Sequence, residues 1–239
     1  GQSRVRLTGS RQNLVFSGSS TLHHLDIDAG LVGYWRLDDG SGSLIARDSS
    51  YSASGGTLQN SQSNTGWTVA SSTGTLFYNE GALAFDGLDD YVDVGDTVAL
   101  RGPSEGVSLF AWVKRERTGE ERIAGKLNGV GSTSEYGLRF NSSNQVQGCI
   151  GNPVFFSCGG YPTAVTDNGW HHVGMTFENG ELRVYLDGVT STPTGASADL
   201  IQTSQPFTIG RWGDADSNYF RGTIDDVRVY NRVLAPNEV

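Results

Sequence analysis

The sequence predicts an all-β fold, a sandwich or barrel of short antiparallel strands. Segments that alternate apolar and polar residues recur at intervals of about 8–12 residues, the strand spacing of such folds. Turn signals rich in Gly, Asp and Asn separate them, and the chain contains 33 Gly but only 6 Pro. The sequence has no long stretch with helical periodicity, so packed sheets account best for the pattern.

The first 30 residues differ from the rest of the chain. VRLTG, NLVFSG and TLHHLDIDAG are short alternating segments separated by Gly and Ser. We interpret residues 1–30 as an extended linker or the tail of a preceding β module, and we assign residues 31–239 to the main domain. The opening GQSRVRLTG lacks the apolar stretch of a signal peptide, so we expect a fragment of a longer protein.

From residue 31 the strand signals become apolar and aromatic. In order they are LVGYWRLDDGSG, GALAFDGLDDYVDVG, VSLFAWVKRE, RIAGKLN, EYGLRFNSSNQVQGCIG, WHHVGMTFENGELRVYLDGV, PFTIGRWG and FRGTIDDVRVYNRVL. Most aromatic residues of such a fold lie in its core. We therefore assign Trp35, Phe110, Trp112 and Phe177 to the core.

Residues 170–189 predict an antiparallel hairpin with one buried face. Apolar residues alternate from 173 to 177 and from 182 to 186, on either side of the turn signal Asn179-Gly180. His171 and His172 are neighbours on a strand, so they point to opposite faces. They cannot readily bind one metal ion together, and we interpret the segment as structural.

Composition narrows the classes of partner. The formal net charge is -9, and the chain has no basic block. Such a chain disfavours nucleic acid, and strongly anionic polymers, as ligands. No apolar run approaches the length of a membrane span. We expect a monomeric fragment that neither binds nucleic acid nor inserts into a membrane.

Cys149 and Cys158 are the two cysteines, and Asn152-Pro153 between them is turn material. Two paired strands would bring the sulfur atoms within disulfide range, and a disulfide implies an oxidising compartment. Two reduced, half-buried thiols are the alternative.

The strand segments also carry a resemblance to a known family. YWRLDDGSG, ALAFDGLDDYVDV, SLFAWVK, GWHHVGMTFENGELRVYLDGV, FTIGR and YFRGTIDDVRVYNRVLAPNEV occur in that order. Over residues 31–239 they resemble the laminin G-like, concanavalin A-like lectin/glucanase group, and more narrowly its bacterial LamG-type modules. The resemblance implies a jelly-roll β-sandwich of two antiparallel sheets. It also implies a carbohydrate-binding or adhesion module, often with a structural calcium ion.

Signatures of the related enzymes are missing from the sequence. Glucanase-type glycosidases carry Glu-x-Asp-x-x-Glu on one strand, and no Glu of this chain has Asp two residues on. The Gln-x-His and Arg-rich strands of alginate-lyase relatives are absent. The Ser-rich stretches GVGSTSEYG and SGSSTLHH do not supply a Gly-x-Ser-x-Gly nucleophile elbow in a strand-to-helix context. We therefore expect a domain that is not an enzyme.

Acidic residues cluster at the ends of strands and suggest a calcium site. In the resembled fold the first and last strands pair, which would bring Asp38 near Asp225 and Asp226, with the loop of Asp48 folding over them. Calcium prefers carboxylate and carbonyl oxygens on loops, and a divalent cation removes the repulsion between unpaired carboxylates. We predict a structural Ca²⁺ ion bound by these four residues. Turn-forming Asp residues in an acidic chain are the alternative.

The loop GDADSN lies between two aromatic residues and is rich in polar groups. Aromatic rings stack on the C–H faces of sugars, while Asp and Asn form hydrogen bonds with hydroxyl groups. A further aromatic platform is expected in SNTGWTVASS. The predicted ligand-binding residues are Trp212, Asp214, Asp216, Asn218, Tyr219 and Trp67.

Together these observations predict an extracellular or cell-surface module of a larger protein. Its expected partner is a polysaccharide or cell-surface glycan. A structural or protein-binding adhesion spacer is the first alternative, because laminin G-like domains also bind proteins. An enzyme is the second, and it would need a cleft with paired carboxylates.

Overall fold

The structure is a computed structural model that describes residues 30–40, 43–59, 66–68, 81–102, 106–128, 134–151, 156–196, 200–213 and 217–239. Within these ranges the regular secondary structure is β-strand, apart from a single short 3₁₀ turn at Val98–Leu100. The segment assigned to a linker lies almost wholly outside them, so the domain boundary near residue 30 stays a prediction.

The strands form two antiparallel sheets, numbered here in chain order. Sheet A contains β1 (Leu31–Trp35), β4 (Gly66–Thr68), β5 (Ala82–Asp86), β7 (Val107–Arg115), β12 (Trp170–Glu178), β13 (Glu181–Leu186), β14 (Val189–Thr190), β15 (Thr194–Gly195) and β17 (Arg221–Tyr230). Sheet B contains β2 (Ile45–Ala46), β3 (Gly56–Gln59), β6 (Tyr91–Gly95), β8 (Glu121–Gly125), β9 (Tyr136–Phe140), β10 (Gln145–Gly151), β11 (Phe156–Ala164) and β16 (Phe207–Ile209).

The topology is that of a jelly-roll sandwich, which confirms the predicted fold class. Sheet A runs β14-β13-β12-β7-β17-β5-β4, and sheet B runs β11-β10-β9-β8-β16-β6-β3-β2. The last strand, β17, pairs with β7, and it also pairs with β5 through residues 221–224 and with β1 through residues 227–230. The predicted pairing of the first and last strands is therefore confirmed.

The main core lies between the two sheets, where strand alternation delivers apolar side chains from both. Trp35 and Phe177 belong to it, as predicted. Phe110 is buried but belongs to a second cluster, on the outer face of sheet A, with Leu234 of the C-terminal segment. Trp112 is only partly buried, so its assignment to the core is wrong. The reason is strand parity, because successive side chains of β7 point alternately into the core and toward the outer face of sheet A.

The hairpin predicted at residues 170–189 is confirmed as β12 and β13. Asn179 and Gly180 both have positive φ, at 50° and 81°, as the tight turn of a two-residue hairpin requires. His172 lies beside Trp112 on the outer face of sheet A. His171 points the other way, between two loop carboxylates.

The two cysteines face each other across β10 and β11. Cys149 is the register partner of Cys158, and the two form a disulfide. The predicted bridge is therefore present, and it ties together the two strands at one edge of sheet B.

Candidate functional site

The aromatic platform predicted at Trp212 and Tyr219 is wrong, because both rings are buried. Trp212 is 1% exposed and Tyr219 is 7% exposed. Trp212 packs against Leu127 and Cys149, and the guanidinium carbon of Arg122 lies 4.2 Å from the centroid of its ring. The polar sequence around Trp212 did not reveal this burial, because the covering groups come from other strands.

Of the other ligand residues predicted in this region, the structure describes Asn218. Asn218 is partly buried, has φ of 59°, and donates a hydrogen bond from Nδ2 to Oε2 of Glu120 at 3.1 Å. Asp214 and Asp216 lie outside the described residues. Trp67 belongs to β4, but its side chain lies outside the description as well. Ligand binding by these three residues stays a prediction.

The four predicted calcium ligands do not converge. Asp48 accepts hydrogen bonds from three backbone amides of its own loop and of β1, at 2.7–2.8 Å. Asp38 forms an ion pair with Arg36 at 2.9 Å. Asp225 accepts a hydrogen bond from the amide of Asp226 at 2.8 Å. These oxygen atoms are held by donors of the protein, and among the described residues the carboxylates whose oxygen atoms lie close enough together for a metal ion are others, so this ligand set does not fit a calcium ion.

A different acidic group lies at the turn between β5 and β6. One oxygen atom each from Asp86, Asp89 and Asp90 can come within 4.8 Å of the others, and no second such group occurs among the described residues. Part of this capacity closes the turn, because Asp90 accepts a hydrogen bond from the amide of Asp86 at 2.9 Å. An open pocket of about 420 Å³ lies beside the group and includes Leu88 and Arg221 in its lining. These carboxylates are the residues of the described chain that could hold a metal ion.

A β-bulge interrupts the longest strand of sheet A. The register of β17 against β7 shifts between Asp225 and Arg228, where the neighbour on the other edge changes from β5 to β1. Asp226 lies in this bulge with φ of 48°, a left-handed conformation that is costly for a residue other than glycine. Bulges redirect side chains and are frequent beside functional sites.

The bulge places an acidic group in a hydrogen-bonded network on the outer face of sheet A. The hydroxyl of Tyr34 donates to Oδ1 of Asp226 at 2.6 Å and accepts from Nη2 of Arg228 at 2.9 Å. The Arg228 guanidinium also lies 4.5 Å from the centre of the Tyr34 ring and 3.3 Å from the Asp226 carboxylate. The pairing of β17 with β1 and β7 therefore holds one carboxylate, one hydroxyl group and one cation in fixed positions.

Aromatic rings flank this network. Trp112 on β7 lies directly opposite His172 on β12, with ring centroids 5.2 Å apart, and His172 stacks on Phe110 at 5.4 Å. Trp170, two residues before His172, has the same strand parity and is also partly exposed. We call Tyr34, Trp112, His172, Asp226 and Arg228 the Trp112 surface.

Burial fixes the protonation states of the Trp112 surface at neutral pH. Desolvation, assisted by the nearby charge of Arg228, lowers the pKa of His172 to about 4, so its ring is neutral. Desolvation also raises the pKa of Tyr34 to about 12, against the opposing effect of Arg228. The surface therefore offers a neutral imidazole, a protonated phenol and one ion pair beside a partly exposed indole ring.

The sequence carries a signal for this surface in the strand segment of β7. In SLFAWVK the core residues occupy one parity, which leaves Phe110 and Trp112 on the other, where a solvent-facing strand would carry polar residues. The contributions of Tyr34 and Arg228 could not be seen in this way, because they depend on the pairing of β1 with β17 across the whole chain.

With this geometry established, comparison with known proteins gives the family. Residues 85–239 match the family model Laminin_G_3, described as the concanavalin A-like lectin/glucanases superfamily. The match covers more than half of the chain, and the chain belongs to this superfamily. The resemblance noted in the sequence is thereby confirmed.

Solved structures share the fold at low sequence identity. Domain 4 of AbnA, an extracellular arabinanase from Geobacillus stearothermophilus in complex with arabinotriose, is 19% identical, with a TM-score of 0.65 over 87% of this chain and 95% of that chain. A Trypanosoma rangeli sialidase mutant with trans-sialidase activity is 20% identical, with a TM-score of 0.59 over 87% and 32%. The ligand-binding domain of botulinum neurotoxin serotype D, in complex with N-acetylneuraminic acid, is 14% identical, with a TM-score of 0.60 over 87% and 49%.

These likenesses establish the fold and not a shared ligand. The chain spans almost all of the arabinanase domain but half or less of the sialidase and toxin chains. In the part of the chain that the structure describes, no helix has the length and apolar character needed to cross a membrane.

Proposed function

We propose that this domain is a non-catalytic carbohydrate-binding module and that the Trp112 surface is where it holds the sugar. The observation that carries the proposal is the bulge at Asp226. A strained backbone in the middle of a strand directs a carboxylate toward Tyr34 and Arg228, beside a partly exposed tryptophan. Strain of this kind persists only where surrounding contacts enforce it, and it is concentrated at functional sites.

The chemistry of the Trp112 surface suits a polyol. An indole face can stack on the C–H face of a sugar ring, and a few fixed polar groups beside it can select the hydroxyl pattern. Asp226 supplies acceptor oxygens, Arg228 supplies donors, and the neutral ring of His172 can do either. Trp170 on the same face could contact a second sugar ring, so a short oligosaccharide is the expected ligand.

The protonation states support binding over catalysis. A general acid or base works best with a pKa near the operating pH. Burial lowers the pKa of His172 to about 4 and raises the pKa of Tyr34 to about 12, so both lie far from neutral pH. Asp226 is engaged with Arg228 at 3.3 Å. His172 and Tyr34 are therefore suited to holding hydrogen bonds and poorly suited to transferring protons at neutral pH.

The relatives support the same proposal. The arabinanase domain is described with arabinotriose bound and the toxin domain with N-acetylneuraminic acid bound. The disulfide and the extracellular arabinanase favour an extracellular or cell-surface location for this domain too. A protein-binding spacer is the competing function, and it would not require the polar network around Asp226.

A titration of oligosaccharides tests the proposal. A panel that includes arabinotriose should contain a ligand that the wild-type chain binds with a Kd of about micromolar to millimolar. Trp112→Ala should weaken this binding at least tenfold, about 1.4 kcal/mol. Leu88→Ala is the control, because Leu88 is a large apolar residue that is 74% exposed at the turn between β5 and β6, outside the Trp112 surface. Equal affinity of the two variants would contradict the proposal, and absence of any binding would favour the protein-binding spacer.

A further inference from the structure

The outer face of sheet B contains two arginines in an arrangement that the fold alone does not explain. Arg122 on β8 is the direct register partner of Arg139 on β9, and like charges placed directly opposite each other are unfavourable. Both are largely buried, with side chains 13% and 18% exposed. The chain as a whole carries a net charge of -9, so two cations held together here stand out.

The counter-charge for this pair is weak. In the described chain, Glu120 is the carboxylate within ion-pair distance, and its oxygen atoms lie 3.9 Å from Nη2 of Arg122 and 3.9 Å from Nη1 of Arg139. These distances are too long for hydrogen bonds. Glu120 is also committed elsewhere, because it accepts a hydrogen bond from Asn218 at 3.1 Å. One half-exposed carboxylate thus serves two guanidinium groups without bonding to either.

Arg122 retains unused hydrogen-bonding capacity. Its Nε and Nη1 atoms are buried and make no hydrogen bond. Its guanidinium carbon lies over the ring of Trp212, 4.2 Å from the ring centroid. Desolvation and the neighbouring charge of Arg139 lower the pKa of Arg122 to about 10. Desolvated charges with so distant a counter-charge are costly for stability, and groups with such perturbed pKa values cluster at functional sites.

The surroundings of the pair are polar and fixed. Arg139 donates from Nε to Oε1 of Gln147 at 2.8 Å, so its fork is oriented by the next strand. Gly160 on β11 is the register partner of Gln147, so no side chain lies beside Gln147 at that position. The row across sheet B therefore reads Arg, Arg, Gln and Gly, with the amide of Asn218 at its side.

We propose that the Arg122–Arg139 pair binds the carboxylate of an acidic sugar such as a uronic acid. A guanidinium fork matches the two oxygens of a carboxylate, and two forks fixed side by side recognise that group better than a single mobile cation does. The amides of Gln147 and Asn218 supply groups for the neighbouring hydroxyls. The acidic net charge of the chain is compatible with a single carboxylate, although it disfavours a dense polyanion.

This site is independent of the proposed function. It lies on sheet B, whereas the Trp112 surface lies on sheet A, so each can fail without the other. Trp112→Ala should leave binding at the arginine pair unchanged. A failure at the arginine pair would likewise leave the result for neutral oligosaccharides as it stands.

The test is a titration of the full chain with trigalacturonic acid and with its methyl ester, at low salt. We expect the acid to bind and the ester, which lacks the charge, to bind at least about tenfold more weakly. Arg139→Gln should weaken binding of the acid by a similar factor. Glu120→Gln should strengthen it about twofold to fivefold, because a competing carboxylate is removed. Arg183→Gln, at a partly exposed position on sheet A, is the matched control and should change nothing.

Glu120→Gln keeps the proposal testable even if the arginine variant folds poorly. A loss of affinity in this variant would overturn the proposal, because Glu120 would then be a ligand-binding group and not a competitor. Equal binding of the acid and the ester would also overturn it. Equal binding of a triglutamate peptide would show that the pair recognises carboxylates in general, and it would overturn the assignment to a sugar.

Discussion

Asp226→Gly tests whether the strained bulge serves ligand binding or the stability of the fold. Asp226 has φ of 48°, where glycine is comfortable and other residues are strained by roughly 1 kcal/mol or more. The substitution therefore removes strain at the same time as it removes the carboxylate from the Trp112 surface. If the bulge exists to hold that carboxylate for a ligand, stability and binding should respond differently.

The contacts of Asp226 set the expected size of the stability change. The carboxylate accepts one hydrogen bond from Tyr34 at 2.6 Å and pairs with Arg228 at 3.3 Å. Hydrogen bonds to a charged group contribute about 1.5–3 kcal/mol. The lower end applies, because Arg228 and Tyr34 remain bonded to each other at 2.9 Å. Relief of about 1 kcal/mol of strain offsets most of this loss. The net change is about 0.5 kcal/mol, or about 1–2 °C in Tm for a domain of this size.

Thermal unfolding and oligosaccharide titration, run on the same samples, provide the assay. We expect the Tm of Asp226→Gly to stay within about 2 °C of the parent, while affinity for the sugar falls at least tenfold, about 1.4 kcal/mol. A loss of more than about 2 kcal/mol in unfolding free energy, with binding intact, would refute the reasoning. It would mean that the bulge serves the fold.

Three further predictions concern stability. Arg115→Met removes the closest charged partner of the fully buried Glu121, at 2.8 Å, and leaves it only Arg117 at 3.4 Å and the amide of Arg221 at 3.0 Å. Urea denaturation should show a loss of about 3 kcal/mol, and a loss below about 1 kcal/mol would contradict this. The pKa of His172 is about 4 in the folded chain and about 6.5 in the unfolded chain, so between these pH values the unfolded chain binds a proton at His172 that the folded chain does not. Stability should therefore decline by up to about 3 kcal/mol as pH falls from 6.5 toward 4, and parallel pH curves for the parent and His172→Gln would exclude this. We propose that calcium binds at the turn of Asp86, Asp89 and Asp90, and at about 100 times its Kd it should stabilise the domain by about 2.7 kcal/mol. A Tm that does not change when calcium is chelated, or a Tm of Asp89→Asn equal to that of the parent in calcium, would contradict calcium binding at this turn.

Local patterns in the sequence predicted the fold well. The hairpin of β12 and β13 follows from apolar alternation around Asn179-Gly180, both of which adopt the positive φ that such a turn needs. The disulfide between Cys149 and Cys158 follows from their position on two paired strands. These features depend on residues that are close together in the chain, so the sequence alone carries the information.

The candidate site could not be predicted in the same way, because it is built from distant parts of the chain. Trp212 lies in a polar segment, yet Arg122 from another strand covers it, and no local pattern reports that contact. The sequence predicted Asp226 as a calcium ligand, but the position of its carboxylate depends on a bulge where β17 exchanges one neighbouring strand for another. Tyr34 meets Asp226 only because the first described strand pairs with the last.

Backbone amide chemical-shift mapping is the most direct test of the claim that the outer face of sheet A binds carbohydrate. The measurement is a titration of the isotope-labelled chain with the oligosaccharide that binds best in the panel. The account predicts that the largest shift changes occur at Trp112, His172 and residues 226–228, with saturation at the same Kd as the bulk titration. Changes concentrated instead in residues 212–219, at the turn of residues 86–90, or on the outer face of sheet B would contradict it.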